Sequence, residues 1–236
     1  MGGGTELFET NGVRIDLEHP RIRPVADEFR RGAFEATEAR ITRRVLRPHH
    51  RVLEMGTCTG FVAIIAARIV GPAAIRCYEA NPENAALAAH HFGANGLPIE
   101  LYNAVLLSRR SAAAGPATVP FFVSPSLVSS SLIPIPRRES VEVPVAVFED
   151  EVARHGANFL IMDIEGGEVD LLGTADLDPI TGIIMETHYR KAGVAPTDAM
   201  MKRLYDRGFR INLRSSGAET LHLYREGYEA DLEGAF

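Results

Sequence analysis

The segment Glu54-Met55-Gly56-Thr57-Cys58-Thr59-Gly60 constrains the fold of this chain more than any other. It follows a short apolar run, Arg51 to Met55, and precedes an apolar helix pattern, Phe61 to Val70, that Gly71-Pro72 ends. A second strand-like run, Ile75 to Ala80, comes next. Strand, glycine-bearing turn, helix and strand in this order make a parallel β-α-β unit. Glycine suits such a turn because backbone approaches a ligand closely only where side chains are absent. The helix N-terminus behind the turn aims amide donors at the same place.

The alternation continues along the chain. Asn81 caps a helix with Pro82 in its first turn, and Asn95-Gly96 closes it. Ile99 to Val105 reads as a third strand, Val141 to Val147 as a strand, Phe148 to His155 as a helix, and Asn158 to Ile164 and Gly182 to Glu186 as apolar strands. Pro196 to Arg207 reads as a helix, and Phe209 to Leu213 with Thr220 to Tyr224 as a closing hairpin. Before the glycine turn, residues 5–20 alternate around Asn11-Gly12, and 25–46 has helical spacing. The long stretch 108–140, rich in Ser, Pro and Ala, lacks strong periodicity and is expected to be irregular, a lid or a specificity loop. The expected architecture is α/β, a mostly parallel sheet with helices on both faces. Residues 1–50 form an N-terminal strand and helix cover, beginning with a glycine-rich start at 1–4, and 51–236 the main domain of a single globular unit.

The glycine turn and Glu79 together read as a nucleotide-type site. Glu79 ends the second strand, 19 residues past Gly60, where an acid accepts hydrogen bonds from ribose hydroxyls. Two ligands fit, NAD and S-adenosylmethionine. Glu54 at the first strand's tip repels a pyrophosphate and suits the amino group and sulfonium of S-adenosylmethionine, which is therefore the expected cofactor. Its binding residues are Glu54, Gly56, Thr57, Cys58, Thr59, Gly60, Glu79, Ala80 and Asn81. Cys58 is expected to pack under the turn.

Composition narrows the partners. A formal charge of -6 speaks against nucleic acid. No apolar run approaches the roughly 18 residues of a membrane span, and no secretory signal pattern opens the chain. Cys58 and Cys77 make no disulfide framework, so a cytoplasmic setting is expected. Lysine occurs only at Lys191 and Lys202 among 25 basic residues, a codon bias of GC-rich bacterial genomes. The expected partners are a small-molecule substrate and a second copy of the chain.

Four segments in one order resemble the FkbM-type S-adenosylmethionine-dependent methyltransferases. They are Val52 to Phe61; Tyr78-Glu79-Ala80-Asn81-Pro82-Glu83-Asn84 with Asn95-Gly96-Leu97; Ser129-Ser130-Ser131-Leu132; and Ile161-Met162-Asp163-Ile164-Glu165-Gly166-Gly167-Glu168, similar to a "K-x-D-x-E-G-x-E" signature. The chain departs from the family pattern at Ile161, Cys58 and Ala80, where Lys, Asn and Pro are usual. The resemblance implies a Rossmann-like class I methyltransferase fold with a seven-stranded sheet. It also implies O-methylation of a hydroxyl on a sugar or natural-product intermediate. N- or carboxyl-methylation and an NAD-dependent oxidoreductase are the alternatives.

Methyl transfer is an in-line displacement, so the protein chiefly aligns the reactants. A hydroxyl acceptor is a poor nucleophile and gains from a base or a metal. Ligands bind at the carboxyl ends of strands in open α/β sheets, which makes Asp163, Glu165, Glu186 and His188 the catalytic candidates, with Glu168 beside them. Asp163 and Glu165 are two apart, leave one side of an extended chain, and can act as base or hold a divalent metal such as Mg2+. His188 is a candidate base or metal ligand. His49-His50 and His90-His91 are read as surface pairs, and Glu142 as a solvated position on an alternating strand.

Overall fold

The computed structural model describes residues 7–228 apart from 114, 128, 135 and 218; the glycine-rich start at 1–4 lies outside them. The chain opens with a hairpin, β1 (Phe8–Thr10) and β2 (Val13–Ile15). Asn11 and Gly12 both take positive φ, 54° and 73°, the geometry that a two-residue turn needs to match strand twist. The helix expected over 25–46 is two helices, α1 (Ala26–Arg30) and α2 (Ala36–Val45). Gly32 and Glu35 between them adopt positive φ and reverse the chain. The break stacks Phe29 on Phe34, with ring centroids 4.2 Å apart, and sets both rings edge-on to Phe61. One continuous helix would separate those rings.

Then come β3 (Val52–Met55), α3 (Phe61–Val70), β4 (Ile75–Tyr78), α4 (Pro82–Ala94) and β5 (Glu100–Tyr102). The single strand expected over 99–105 is interrupted. After Asn103-Ala104 the chain leaves the sheet, and β6 (Val105–Leu107) joins another. The stretch 108–140 is more ordered than its composition suggests. It holds α5 (Arg109–Ala113) and β7 (Thr118–Phe122), and β7 pairs antiparallel with β8 (Ser140–Val147) while β6 pairs parallel with β8. The chain finishes with α6 (Phe148–His155), β9 (Phe159–Met162), α7 (Glu168–Thr174), β10 (Gly182–Glu186), α8 (Tyr189–Ala192), α9 (Val194–Asp206), β11 (Phe209–Ile211) and β12 (Thr220–Arg225).

The main sheet has seven strands in the order β11-β12-β10-β9-β3-β4-β5. The five strands from β10 to the β5 edge are parallel, and β12 runs antiparallel to both neighbours. The chain builds outward from β3 through β4 to β5, then returns to β9 on β3's other side. Crevices for ligands open at such a reversal, outside the carboxyl ends of the strands. Both faces are covered, so the strands are near-continuous apolar runs. Val52 packs with α2, α3 and α4 on one face; Leu53 and Met55 pack with α6, α7 and α9 on the other. Among the described residues no helix is long and apolar enough to cross a membrane.

Candidate functional site

The glycine turn is shaped by close backbone approach. A Cβ on Gly56, at φ +83°, would stand 1.8 Å from the Asp163 carbonyl oxygen, and one on Gly60, at φ +79°, 2.6 Å from the Phe92 ring. Thr57 and Thr59 are buried and brace the turn from inside: the Thr57 hydroxyl donates to the Tyr78 carbonyl at 3.4 Å, and the Thr59 hydroxyl accepts from the Phe61 N–H at 3.3 Å. Cys58, at φ +51°, is part-buried and lines a cavity beside the turn, and its N–H donates to Glu79 Oε2 at 2.7 Å. The other Glu79 oxygen accepts from the Asn81 N–H at 2.7 Å. Burial pushes the Glu79 carboxyl up, against the opposing effect of those N–H donors. Asn81 caps α4, accepting from the Glu83 N–H at 3.0 Å. Asn103, which the sequence reading passed over, donates to the Glu79 and Ala80 carbonyls at 2.7 and 2.9 Å and pins the strand end where β5 breaks.

A cavity of about 400 Å3 opens beside this turn, within the range of small-molecule sites. Gly56, Cys58, Glu79 and Ala80 line it together with Asp163 and Glu165, and Gly56 abuts the Asp163 backbone. Val105, Leu106 and Phe121, from the small sheet, supply an apolar wall. The serine-rich segment lies over it. Ser131 donates to the Glu165 carbonyl at 2.8 Å, the Ser129 N–H to Glu165 Oε1 at 2.9 Å, and Arg138 to the Ser129 carbonyl at 2.8 Å. Leu127 reaches α4, where its carbonyl accepts from Asn84 at 3.1 Å.

Glu54 does not line this cavity. It shares a strand face with Val52, and register carries that face across to Ile161 and Ile184. Two residues further along β9 and β10 stand Asp163 and Glu186, so alternation puts three acids on the α2 side of the sheet end. Glu35 and Glu38, at the start of α2 and unforeseen from sequence, come down onto them. Glu35, Glu38, Glu54 and Asp163 line a second cavity of about 20 Å3. Burial pushes the Glu54 carboxyl up to about 7. Burial and the charges of Asp163, Glu38, Glu54 and Glu186 push Glu35 well above the carboxylate range. Asp163 is likewise raised, by burial and by Glu186, despite His188; burial also raises Glu186.

His188 sits among three carboxylates. Its N–H and Nδ1 meet Glu168 Oε1 at 2.9 and 3.2 Å, and its Nε2 faces Asp163 Oδ1 at 3.4 Å and Glu165 Oε2 at 3.3 Å. Burial lowers its affinity for a proton, but Glu168, Asp163 and Glu165 outweigh burial and push the ring up to about 9. Burial likewise opposes ionisation of Glu168, and the His188 hydrogen bond and charge overcome it and hold that carboxyl below its ordinary value. A ring held in its charged form anchors the carboxylates around it, and it takes up a proton or ligates a metal only after giving one up. Asp163 and Glu165 do not leave one extended strand together: β9 ends at Met162, and Glu165 has φ +55°. The Glu165 carboxylate is engaged by Lys191 and by the Ser129 N–H. Glu142 is exposed and accepts from the Thr118 hydroxyl at 2.6 Å. Of the expected surface histidines, His49 and His90 are exposed, whereas His50 and His91 are buried.

A family model described as a methyltransferase FkbM domain matches residues 57–211. A search of the curated proteins finds no match. Among solved structures the chain is similar to a ribosomal protein L11 methylase from Lactobacillus delbrueckii subsp. bulgaricus, at 14% identity and a TM-score of 0.47, over 80% of this chain and 77% of that one. It is also similar to the O-methyltransferase TomG from Streptomyces achromogenes, involved in tomaymycin synthesis and solved with S-adenosylmethionine. That match has 15% identity and a TM-score of 0.44, over 84% of this chain and 79% of that one.

Proposed function

The chain belongs to the FkbM methyltransferase domain family, and from that premise we propose that it methylates a hydroxyl oxygen of a sugar or natural-product intermediate. It is an S-adenosylmethionine-dependent methyltransferase with a Rossmann-like class I fold. The NAD-dependent reading of the glycine turn falls with that membership. The observation that carries the proposal is the lining of the larger cavity, where Gly56, Cys58 and Glu79 meet the acids Asp163 and Glu165.

Glu79 suits the ribose hydroxyls, since each of its oxygens accepts one backbone N–H and keeps a second acceptor site. Val105, Leu106 and Phe121 suit a flat apolar base. When bound, the cofactor supplies an electrophilic methyl group. Asp163 and Glu186 stand at the sheet end beyond the turn, and their raised proton affinity favours taking a hydroxyl proton as the oxygen attacks. The serine-rich segment covers the cavity and limits water. The formal charge of -6 and the acids around the site support a small-molecule acceptor over nucleic acid. The arginine bias supports a bacterial setting.

The test is transfer of an isotopically labelled methyl group to a panel of polyhydroxylated small molecules. An alkali-stable methyl ether is the expected product. Label recovered on nitrogen, or as an alkali-labile ester, would replace the proposal with N- or carboxyl-methylation.

A further inference from the structure

The acids and histidine at the ends of β9 and β10 have the geometry of a ligand set. One ligand atom each from Asp163, Glu186 and His188 lies within 4.8 Å of the other two. Around a small divalent cation with bonds of about 2.1 Å, neighbouring ligands stand about 3 Å apart and opposed ones about 4.2 Å, so modest side-chain shifts close these three on one ion. A buried polar atom points to the same place. Glu54 is 3% exposed and lines the small cavity together with Asp163. Among the described residues, Glu54 Oε2 is buried and makes no hydrogen bond; Asp163 Oδ1 makes none either and faces the His188 Nε2 at 3.4 Å. The cavity, about 20 Å3, has room for one water-sized group.

His188 is oriented as a ligand would be. Its Nδ1 donates to Glu168 Oε1 at 3.2 Å, which turns Nε2 toward Asp163. A carboxylate behind the imidazole is the usual support of a metal-ligating histidine. Glu165 is drawn off by Lys191, so the set differs from the Asp163–Glu165 pair that the sequence suggested.

We propose that Asp163, Glu186 and His188 bind one hard divalent cation, Mn2+ or Mg2+, with Glu54 as a supporting carboxylate behind it. Two carboxylates favour the oxygen-seeking ions such as Mn2+ and Mg2+. Binding displaces the Nε2 proton to solvent. Asp163 borders both cavities, which sets the cation beside the larger one. Resting on the O-methylation reading, the two carboxylates would then act by holding the ion that polarises the acceptor's hydroxyl, instead of taking its proton directly.

The test titrates chelator-stripped protein with MnCl2 and follows the loss of the free Mn2+ paramagnetic signal, with calorimetry for MgCl2. One Mn2+ per chain is expected, weakened at least tenfold in Glu186→Gln and unchanged in the exposed-acid control Glu142→Gln. No uptake by the wild type overturns the site, as does a folded Glu186→Gln that binds as tightly as wild type. If Glu186→Gln does not fold, Glu54→Gln takes its place, with weaker Mn2+ binding expected and unchanged binding counting against the site. Stripped protein that still transfers methyl at full rate overturns the ion's part in catalysis alone. Protein that takes up Mn2+ but methylates no hydroxyl overturns the O-methylation reading alone.

Discussion

Glu79 does two jobs with one carboxylate. It holds the Cys58 and Asn81 N–H groups at 2.7 Å each, and it faces the larger cavity. Glu79→Ala should weaken S-adenosylmethionine binding by about 1–3 kcal/mol, the range for a charge-assisted hydrogen bond, measured by calorimetry. It should also lower the melting temperature, because two backbone donors lose their acceptor. Unchanged affinity in a folded variant would reject Glu79 as the ribose acid. Its place was legible because a strand end after a glycine turn fixes it by chain order alone. The direction of Glu54 was not legible in the same way. Val52-Leu53-Glu54-Met55 is buried on both faces, so the run carries no inside–outside alternation to say which wall the acid joins. Glu35 and Glu38 were invisible for a different reason: they reach the acids by packing between distant elements, which no local pattern records.

The elements that sequence periodicity marks well are those of the main sheet, where apolar runs of four or five residues alternate with helices. It fails on β7. Thr118-Val119-Pro120-Phe121-Phe122 contains a proline, which argues against a strand, yet β7 is an edge strand of the three-stranded sheet, where a missing N–H is tolerated. Its partner β8 begins at Ser140, so the intervening segment reads as one long loop. That segment is tied down by particular bonds. Ser131 is fully buried, its hydroxyl donating to the Glu165 carbonyl at 2.8 Å and accepting from the Ile133 N–H at 3.1 Å. Ser131→Ala should cost about 1–3 kcal/mol, the penalty for buried groups left unpaired, and should speed protease cleavage within 123–139. If cleavage and denaturant midpoint stay at wild-type values, the remaining contacts of the segment suffice to hold it. The break between α1 and α2 was masked similarly: helical spacing persists through 25–46, and only the stacking of Phe29, Phe34 and Phe61 explains why the chain turns.

At the scale of the molecule, His91 joins the N-terminal hairpin to the glycine turn. From α4, its Nδ1–H donates to the Thr59 carbonyl at 2.8 Å, while its Nε2 accepts the Asp16 N–H at 3.2 Å. The Asp16 bond needs the neutral ring, and burial, the largest effect, pushes the group down to about 4 although the Thr59 bond favours the charged form. His222 is lowered to about 4 as well, again by burial first. The unfolded chain protonates its histidines near 6.5, so between pH 6.5 and 4 it binds more protons than the folded one. Stability from these two groups is therefore complete above about pH 6.5, declines as pH falls toward 4, and levels off below. Each contributes on the order of 3 kcal/mol across that window. Glu54 works in the opposite sense: held up to about 7, it favours folding at low pH and loses that contribution as pH rises from about 4.5 to 7. The wild-type curve blends these with the other shifted groups, Glu35, Asp163 and Glu186 among them. The difference between wild type and His91→Asn isolates the histidine, and measured by denaturant unfolding it should shrink as pH drops from 6.5 to 4. A difference independent of pH would mean that His91 carries the same charge folded and unfolded, and that its link between hairpin and turn does not require the neutral ring.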